Sequence, residues 1–324
     1  GIGAFAFAYK LKLETLYRYY IWAFLIACFL LLLVYVPGIG KTVSGSRRWV
    51  NLIVLQFQSS EVAKFLLLIF LSVTLVKKGE RLREFWGGVL PPMLLVGLVV
   101  VLVAVEPDFS TSLLFLFVSL FLFYLAGAPP VYLFTFLVSA LPFILIFLQN
   151  KAYLVKRFAF LSPYADPYGK GYHLIQSFLS FKNGGLFGAG PGNSLQKISR
   201  LPEAHTDFIF SIIGEEIGLI GGLLVISLFA VIAVRGMRVA LRQIEPRAML
   251  LAAGITAFIC LEAFFHIGVT LGLVPTTGMP LPFISYGRTA LITKLFMFGI
   301  LLQLSRSPEP WFFQKRNFSS APQG

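Results

Sequence analysis

The sequence predicts an all-α polytopic membrane protein with about nine membrane spans. Of its 324 residues, 57% are hydrophobic and only 13% are charged, whereas about a quarter of the residues are charged in an ordinary soluble domain. The mean hydropathy is +0.84. Apolar runs of about 20 residues, the length that crosses the hydrocarbon core, recur along the whole chain. These observations exclude a water-soluble globule and a disordered chain, and they predict one integral-membrane domain over residues 1–324.

Eight spans can be delimited and a ninth is shortened. The eight lie near residues 21–37, 61–76, 86–106, 111–127, 130–149, 208–234, 248–273 and 282–304. Residues 1–9 are apolar but begin without a polar flank, as the second half of a helix would. We therefore expect that the chain is truncated at its N-terminus, and no signal peptide can be read.

The distribution of lysine and arginine predicts the orientation. Segments after alternate spans carry 14 of the 27 cationic residues, and they are 10–20, 77–84, 128–130, 235–247 and 306–324. The positive-inside rule assigns them to the cytoplasm, so the long loop 150–206 lies outside. The net charge of +13 sits in loops between spans, which favours anionic membrane lipid over nucleic acid as a partner. Cys28 and Cys260 lie in apolar runs and predict neither a disulfide nor a zinc site.

The outer loop contains two unusual stretches. Residues 172–181 place Tyr172, Ile175, Phe178 and Leu179 on one helical stripe. This stripe suits either a helix that lies on the membrane surface as a gate or a helix packed within the loop. Residues 183–192 hold five glycines in ten positions and predict irregular backbone.

Ionisable side chains at membrane depth are candidate functional groups, because each costs about 2.5–3.5 kcal/mol on insertion scales. Glu61 and Lys64 are three residues apart and share a helical face. They form either an ion pair at a helix start behind an N-cap Ser60 or the polar wall of a cavity open to the outside.

Asp207 begins the 208–234 span. With Thr206 as N-cap, its carboxylate would lie in the first helical turn, which the helix dipole favours. The neighbouring Lys197, Arg200 and His205 instead indicate a functional cluster.

Further polar residues lie in the last spans. Glu262 and His266 are one turn apart, and Arg288 and Lys294 lie in the final span. An ion pair between helices is the ordinary explanation, and a proton path is the alternative. His173, His205 and His266 are scattered and show no metal-ligand spacing.

The segment PTTGMPLPFISYG (275–287) indicates a site on the outer side, because irregular backbone at membrane depth is tolerated only under protein or in a water-filled cavity. Arg48, Lys197 and Arg200 supply cations on the same side. Cations near glycine-rich backbone suit a phosphate or pyrophosphate.

With these residues the chain resembles the SEDS family (shape, elongation, division and sporulation), the polytopic peptidoglycan glycosyltransferases. The resemblance covers the whole chain and is carried by SRRWVNL (46–52), QSSEVAK (58–64), YADPYGKGYHLIQS (164–177), GPGNSLQKISRLPEAHTDFIFSIIGEEIGLIGG (190–222) and GMPLPFISYG (278–287). Its GNS-QK spacing is nearer to the cell-division branch than to the elongation branch. The chain departs from the family pattern at four positions, where a glycine, a lysine, a glutamine and an asparagine are usual: Arg288, Thr277, Glu262 and His266.

The resemblance implies ten spans, of which this chain lacks the first. It also implies polymerisation of lipid II into β-1,4 glycan strands outside the bacterial cytoplasmic membrane, by an inverting displacement, for septal cell-wall synthesis. The implied donor is the undecaprenyl-pyrophosphate-linked glycan. The implied partners are a class B penicillin-binding protein, which is a transpeptidase, and other divisome proteins.

The family's essential aspartate falls on Asp207, which is the candidate general base. The candidate substrate-binding residues are Arg48, Glu61, Lys64, Lys197, Arg200, His205 and Ser285. In this set the cations bind pyrophosphate and Glu61 positions Lys64. No cofactor is certain, but a divalent cation (Mg²⁺ or Mn²⁺) would take Asp207 or Glu61 as an oxygen ligand.

Two other functions stay open. A lipid II flippase or proton-coupled transporter would use Glu215, Glu216, Glu262 and His266 as a relay, although no paired inverted repeats are evident. A non-catalytic scaffold would recruit a transpeptidase through its lipid-facing helices.

Overall fold

The computed structural model describes residues 1–43, 46–52, 55–106, 108–138, 159–169, 171–196 and 205–306. Residues 130–138, the start of the predicted span 130–149, are helical, and the rest of that span lies outside the described residues. Lys197 and Arg200 also lie outside them.

Helices dominate the described part of the chain. They are α1 (Ile2–Lys10), α2 (Leu13–Arg18), α3 (Tyr20–Leu33), α4 (Ser59–Lys78), α5 (Leu90–Val105), α6 (Phe109–Leu125), α7 (Tyr172–Gly184), α8 (Ile209–Glu216), α9 (Gly218–Leu241), α10 (Pro246–Thr270) and α11 (Arg288–Leu304). A 3₁₀ turn (Gly79–Arg83) and a π-helical turn (Phe85–Val89) join α4 to α5.

Four of the described helical segments are long and apolar enough to cross a membrane, namely Ser59–Arg83, Phe85–Val105, Gly218–Leu241 and Pro246–Thr270. Helices α3 and α6 are apolar but shorter. The chain is thus an integral membrane protein built mainly from helices, and the number of spans stays a prediction.

A small antiparallel sheet corrects the all-α expectation. The segment 38–60, predicted as a loop, contains three strands in the order β1 (Gly40–Val43), β2 (Ser46–Leu52) and β3 (Leu55–Gln58). Trp49 pairs with both Lys41 and Gln58. Strands of four to seven residues fall far below a span-length window, so a search for membrane spans cannot detect them.

Two predicted span boundaries are also corrected. The span 208–234 is two helices, α8 and α9, interrupted at Ile217 and followed by Gly218 with a φ of +76°. The helix in the predicted span 282–304 begins only at Arg288, because Phe283 has a φ of +66°, outside the right-handed helical region.

The chain divides into two compact units. The first comprises Gly1–Phe134, Ile232–Ile259 and Arg288–Gly324, and the second comprises Thr135–Val231 and Cys260–Gly287. In the first unit five consecutive residues of α4, from Leu67 to Leu71, are all buried. A helix that is apolar on every side and buried is typical of the centre of a helical membrane domain.

The second unit is close-packed through small residues. Ser177 of α7 and Ser211 of α8 share a hydrogen bond of 2.6 Å, and a Cβ on Gly184 would lie 1.9 Å from the carbonyl oxygen of Gly214. The fully buried positions of α7 are Leu174, Ser177, Ser180 and Gly184, whereas the predicted apolar stripe is only half-buried. This packing favours a helix packed within the loop, and the membrane-surface alternative stays untested.

Candidate active site

Two buried lysines hold one buried glutamate in the first unit. Lys64 Nζ lies 2.6 Å from Glu61 Oε1, and Lys294 Nζ lies 2.7 Å from Glu61 Oε2. All three side chains are at most 2% exposed. We call these three residues the lysine–glutamate cluster. Helix α4 begins at Ser59 without a side-chain cap, so Ser60 is not the N-cap.

In the lysine–glutamate cluster two ammonium groups face one carboxylate. Each Glu61 oxygen already accepts a hydrogen bond from an ammonium group. Sequence reasoning predicted the Glu61–Lys64 pair from its spacing but did not predict that Lys294, 233 residues away from Glu61, completes it. The signal for Lys294 was its position as an ammonium group within an apolar helix.

Arg48 lies on β2 and contacts Asp108. Its Nη1 atom lies 3.4 Å from Asp108 Oδ2, and Gln58 Nε2 lies 3.4 Å from the same oxygen. Asp108 Oδ1 also accepts a hydrogen bond from the backbone N–H of Thr111 and so caps α6. Arg48 is thus oriented by a protein carboxylate, with 23% of its side chain exposed.

Glu106 follows the spanning segment Phe85–Val105 and is fully buried. Ser59 Oγ lies 3.2 and 3.1 Å from its two carboxylate oxygens. Burial raises the pKa of Glu106 to about 8 and outweighs the Ser59 hydrogen bond, which acts in the opposite direction. Glu106 is therefore mostly protonated at neutral pH.

This raised pKa predicts a pH-dependent stability. A carboxyl whose pKa rises from 4.5 to about 8 on folding contributes stability below pH 4.5 that is lost as the pH rises through 8. The loss amounts to about 5 kcal/mol at most. Unfolding temperatures in detergent should therefore fall between pH 5 and pH 9, and less steeply in Glu106→Gln. Identical slopes for the two proteins would contradict the assignment.

Asp207 lies in a turn before α8, in the second unit. The turn spans residues 205–208, and α8 begins at Ile209 with Phe208 as N-cap. The expectation that Thr206 is the N-cap is therefore wrong, and Asp207 precedes the helix instead of lying in its first turn. The Asp207 side chain is half-buried.

Apolar packing fixes the residue that follows Asp207. Phe208 is buried together with Ile212 and Val269. The His173 ring of α7 stacks on the Phe208 ring at a centroid distance of 6.0 Å and an interplanar angle of 12°. A core residue adjacent to Asp207 restricts where its carboxylate can move.

The proline-rich loop 271–287 holds the same turn through its backbone. Ser285 Oγ donates to the carbonyl oxygen of Thr206 at 2.7 Å and accepts from the N–H of Leu281 at 2.8 Å. The N–H of Tyr286 donates to the carbonyl oxygen of His205 at 2.9 Å. We call these three hydrogen bonds the loop clamp. Ser285, predicted as a substrate-binding residue, thus uses its hydroxyl hydrogen in a bond to the turn. The side chain of His205, another predicted substrate-binding residue, is exposed.

The glycine-rich stretch 183–192 forms hydrogen bonds with the backbone groups that the break between α8 and α9 leaves without helical partners. The N–H groups of Ala189 and Gly190 donate to the carbonyls of Glu215 and Glu216, and the N–H of Leu219 donates to Gly185. These backbone groups are consumed within the protein, which argues against the expected phosphate cradle there. The glycines permit the close approach of the two backbones.

The buried Glu215 carboxylate stabilises this loop. It accepts hydrogen bonds from Ser194 Oγ and from Asn183 Nδ2, the latter at 3.2 Å. A glutamate held by neutral donors in this way is a structural residue, which weakens the proton-relay alternative.

Among the residues that the structure describes, no group of three or more His, Cys, Asp or Glu is placed to hold a metal ion. Glu61 does not suit a cation, because both its oxygens face ammonium groups. Of the two expected metal ligands, Asp207 therefore fits better.

Comparisons with known proteins give the class of the protein. Residues 1–309 match the model of the FtsW/RodA/SpoVE family, described as "cell cycle protein". A relative from Geobacter sulfurreducens, a "probable peptidoglycan glycosyltransferase FtsW", is 40% identical over 94% of this chain and 82% of its own length.

Solved structures agree with this result. A structure described as "Structural coordination of polymerization and crosslinking by a peptidoglycan synthase complex" matches with a TM-score of 0.78 and 28% identity, over 94% of this chain and 86% of the other. The rod shape determining protein RodA of Thermus thermophilus matches with a TM-score of 0.68 and 26% identity, over 94% and 84% of the two chains. This chain belongs to the FtsW/RodA/SpoVE family.

Proposed function

We propose that this protein is a peptidoglycan glycosyltransferase of the FtsW type, which polymerises lipid II for septal cell-wall synthesis with Asp207 as general base. Family membership and the printed names of its relatives support the reaction class. The role of Asp207 as base is supported by the way the turn 205–208 is held. The loop clamp bonds to the backbone of this turn, and the buried side chain of Phe208 packs into the core next to it.

The reaction needs a single in-line displacement. Lipid II is an α-linked glycosyl pyrophosphate and the glycan product is β-1,4-linked, so one inversion at the donor C1 suffices. The 4-hydroxyl oxygen of the acceptor forms the new bond to C1 while the bond from C1 to the pyrophosphate oxygen breaks. Its electron pair leaves with the diphosphate, and Asp207 takes the hydroxyl proton.

Cations would stabilise the departing diphosphate. Lys197 and Arg200, close to Asp207 in the sequence, are the proposed ligands, and Arg48 and Lys64 stay candidates from the sequence. The position of Asp108 Oδ2, 3.4 Å from Arg48 Nη1, supports an ordered guanidinium at this residue. Should a divalent cation such as Mg²⁺ or Mn²⁺ take part, Asp207 would hold it and it would neutralise charge on the leaving group.

The proposed partners are lipid II, the undecaprenyl-pyrophosphate-linked strand, a class B penicillin-binding protein and other divisome proteins. The similarity to a protein from a complex that couples polymerization and crosslinking supports a transpeptidase partner. Burial between spans would let the lipid tail stay in the bilayer, where extraction would cost about 0.8 kcal/mol for each CH₂ group.

The proposed location is the bacterial cytoplasmic membrane with Asp207 facing outward. In a variant with Cys28 and Cys260 replaced by alanine, Tyr168→Cys should react with an impermeant maleimide on intact cells, because Tyr168 is 94% exposed in the predicted outer loop. Glu80→Cys, on the predicted cytoplasmic side, is the matched control and should react only after lysis. The reverse pattern would overturn the orientation.

Lipid II assays separate the proposed enzyme from the flippase. Protein reconstituted in liposomes with fluorescent lipid II, with and without its transpeptidase partner, should convert lipid II into lysozyme-sensitive glycan. Transfer of lipid II between leaflets without polymer in either setting would favour the flippase. Neither polymer nor transfer, with the partner present, would favour the scaffold.

A further inference from the structure

We infer that His266, on α10, is a positioning residue for the proposed reaction. His266 anchors the loop 271–287, and the loop clamp formed by this loop holds the turn that carries Asp207. This inference rests on the proposed function. The contacts that support the inference are made within Cys260–Gly287 and between that segment and the turn 205–208, and all of these residues belong to the second unit.

His266 makes one hydrogen bond that fixes its tautomer. Its Nδ1 atom lies 2.9 Å from the carbonyl oxygen of Met279. A carbonyl oxygen can only accept, so Nδ1 carries the proton. The Nε2 atom is buried and has no hydrogen-bond partner in the described part of the chain. A second proton on this ring would create a buried N–H without an acceptor, so the neutral ring is the form that suits this site.

The Met279 anchor lies immediately before the loop clamp. Met279 and Leu281 are both buried, and the N–H of Leu281 donates to Ser285 Oγ. Ser285 in turn donates to the carbonyl oxygen of Thr206, the residue before Asp207. Hydrogen bonds and the short backbone stretch Met279–Leu281 therefore connect His266 to the turn that carries the proposed base.

The loop lacks three backbone donors and contains a residue in an uncommon conformation, so contacts from outside the loop help to hold it. Pro275, Pro280 and Pro282 have no N–H group. Phe283 has a φ of +66°, and no other non-glycine residue in the described ranges has a positive φ. Such a conformation is uncommon for a residue with a Cβ and persists only where the surrounding contacts enforce it.

Three substitutions of His266 separate its hydrogen bond from its volume. The Asn side-chain amide can occupy the position of Nδ1, so His266→Asn keeps a donor to Met279. The Gln amide extends towards the position of Nε2, and Leu has no donor. His266→Asn should therefore preserve the loop clamp, whereas His266→Gln and His266→Leu should loosen it.

Hydrogen exchange and steady-state kinetics read out the effect. In His266→Leu and His266→Gln, the amides of Leu281 and Tyr286 should exchange about 5- to 10-fold faster, as expected for a lost hydrogen bond. The kcat of polymerisation should fall about 10- to 100-fold, as misplaced catalytic groups do, with KM for lipid II within twofold. His266→Asn should match the unaltered protein in both measurements.

Several results would overturn the inference. Unaltered exchange in His266→Leu would show that His266 does not hold the loop, and faster exchange with unaltered kcat would show that the loop does not position the base. If His266→Leu fails to fold, His266→Asn and His266→Gln are compared instead, since both introduce a polar amide. The same differences in amide exchange and kcat then decide.

Failure of the proposed function is a separate outcome. An Asp207→Asn variant that polymerises lipid II at the unaltered rate would refute Asp207 as base, and with it any positioning role of His266. The exchange measurement would still show whether His266 anchors the loop.

Discussion

Asp207→Asn is expected to lower the rate of lipid II polymerisation about 10²- to 10⁴-fold, the range for loss of a general base. The amide retains the size of the carboxylate but cannot take the proton of the acceptor hydroxyl. The rate is measured as the initial consumption of labelled lipid II by the reconstituted protein with its partner.

The unfolding temperature serves as the control for this substitution. Because Asp207 precedes α8 and Phe208 occupies the N-cap position, its replacement removes no helix cap, and the unfolding temperature shows whether the variant is folded when its rate is measured. If Asp207 acted only as a helix cap, Asp207→Asn would retain activity, and Asp207→Ala would cost about 1 kcal/mol of stability. Glu80→Gln, an exposed acid on the predicted cytoplasmic side, controls for the general effect of removing a carboxylate.

Glu61→Gln is expected to destabilise the protein by about 3–5 kcal/mol, the cost of removing one partner from a buried ion pair. The substitution leaves Lys64 and Lys294 as two buried like charges without their shared carboxylate. The change is measured as the fall in unfolding temperature in detergent.

The matched control for Glu61→Gln is Lys294→Met. It leaves Glu61 and Lys64 as a neutral pair, so its cost should be clearly smaller than that of Glu61→Gln. Equal losses from the two substitutions would contradict the role of Glu61 as the shared partner of both lysines. The triple variant Glu61→Gln/Lys64→Met/Lys294→Met should be more stable than Glu61→Gln alone, because it removes the two like charges that Glu61→Gln leaves without their shared carboxylate. If it recovers stability without activity, the cluster also acts on substrate.

The helical membrane fold could be predicted because long apolar runs with few charges have one stable arrangement in lipid. The small sheet could not be predicted in the same way, because its strands are short and its register depends on contacts between them. The break at Ile217–Gly218 was also hidden, since the apolar composition continues across it. Its backbone groups find their partners in the glycine-rich stretch, about 30 residues earlier in the chain.

The candidate site shows the same division between local and distant contacts. The Glu61–Lys64 pair follows from spacing on one helix, and Asp207 was identified by resemblance together with its charged neighbours. Lys294 and the Ser285–Thr206 bond join residues far apart in sequence. The sequence shows that such groups need partners, but only the fold shows which partners they have.

The glycan ladder formed by the reconstituted protein, with lipid II as the sole sugar donor and the transpeptidase partner present, tests the central claim most directly. The unaltered protein and Asp207→Asn are compared side by side at equal amounts of folded protein. The account predicts a ladder from the unaltered protein and unconsumed lipid II from the variant. The same ladder from both proteins would contradict it.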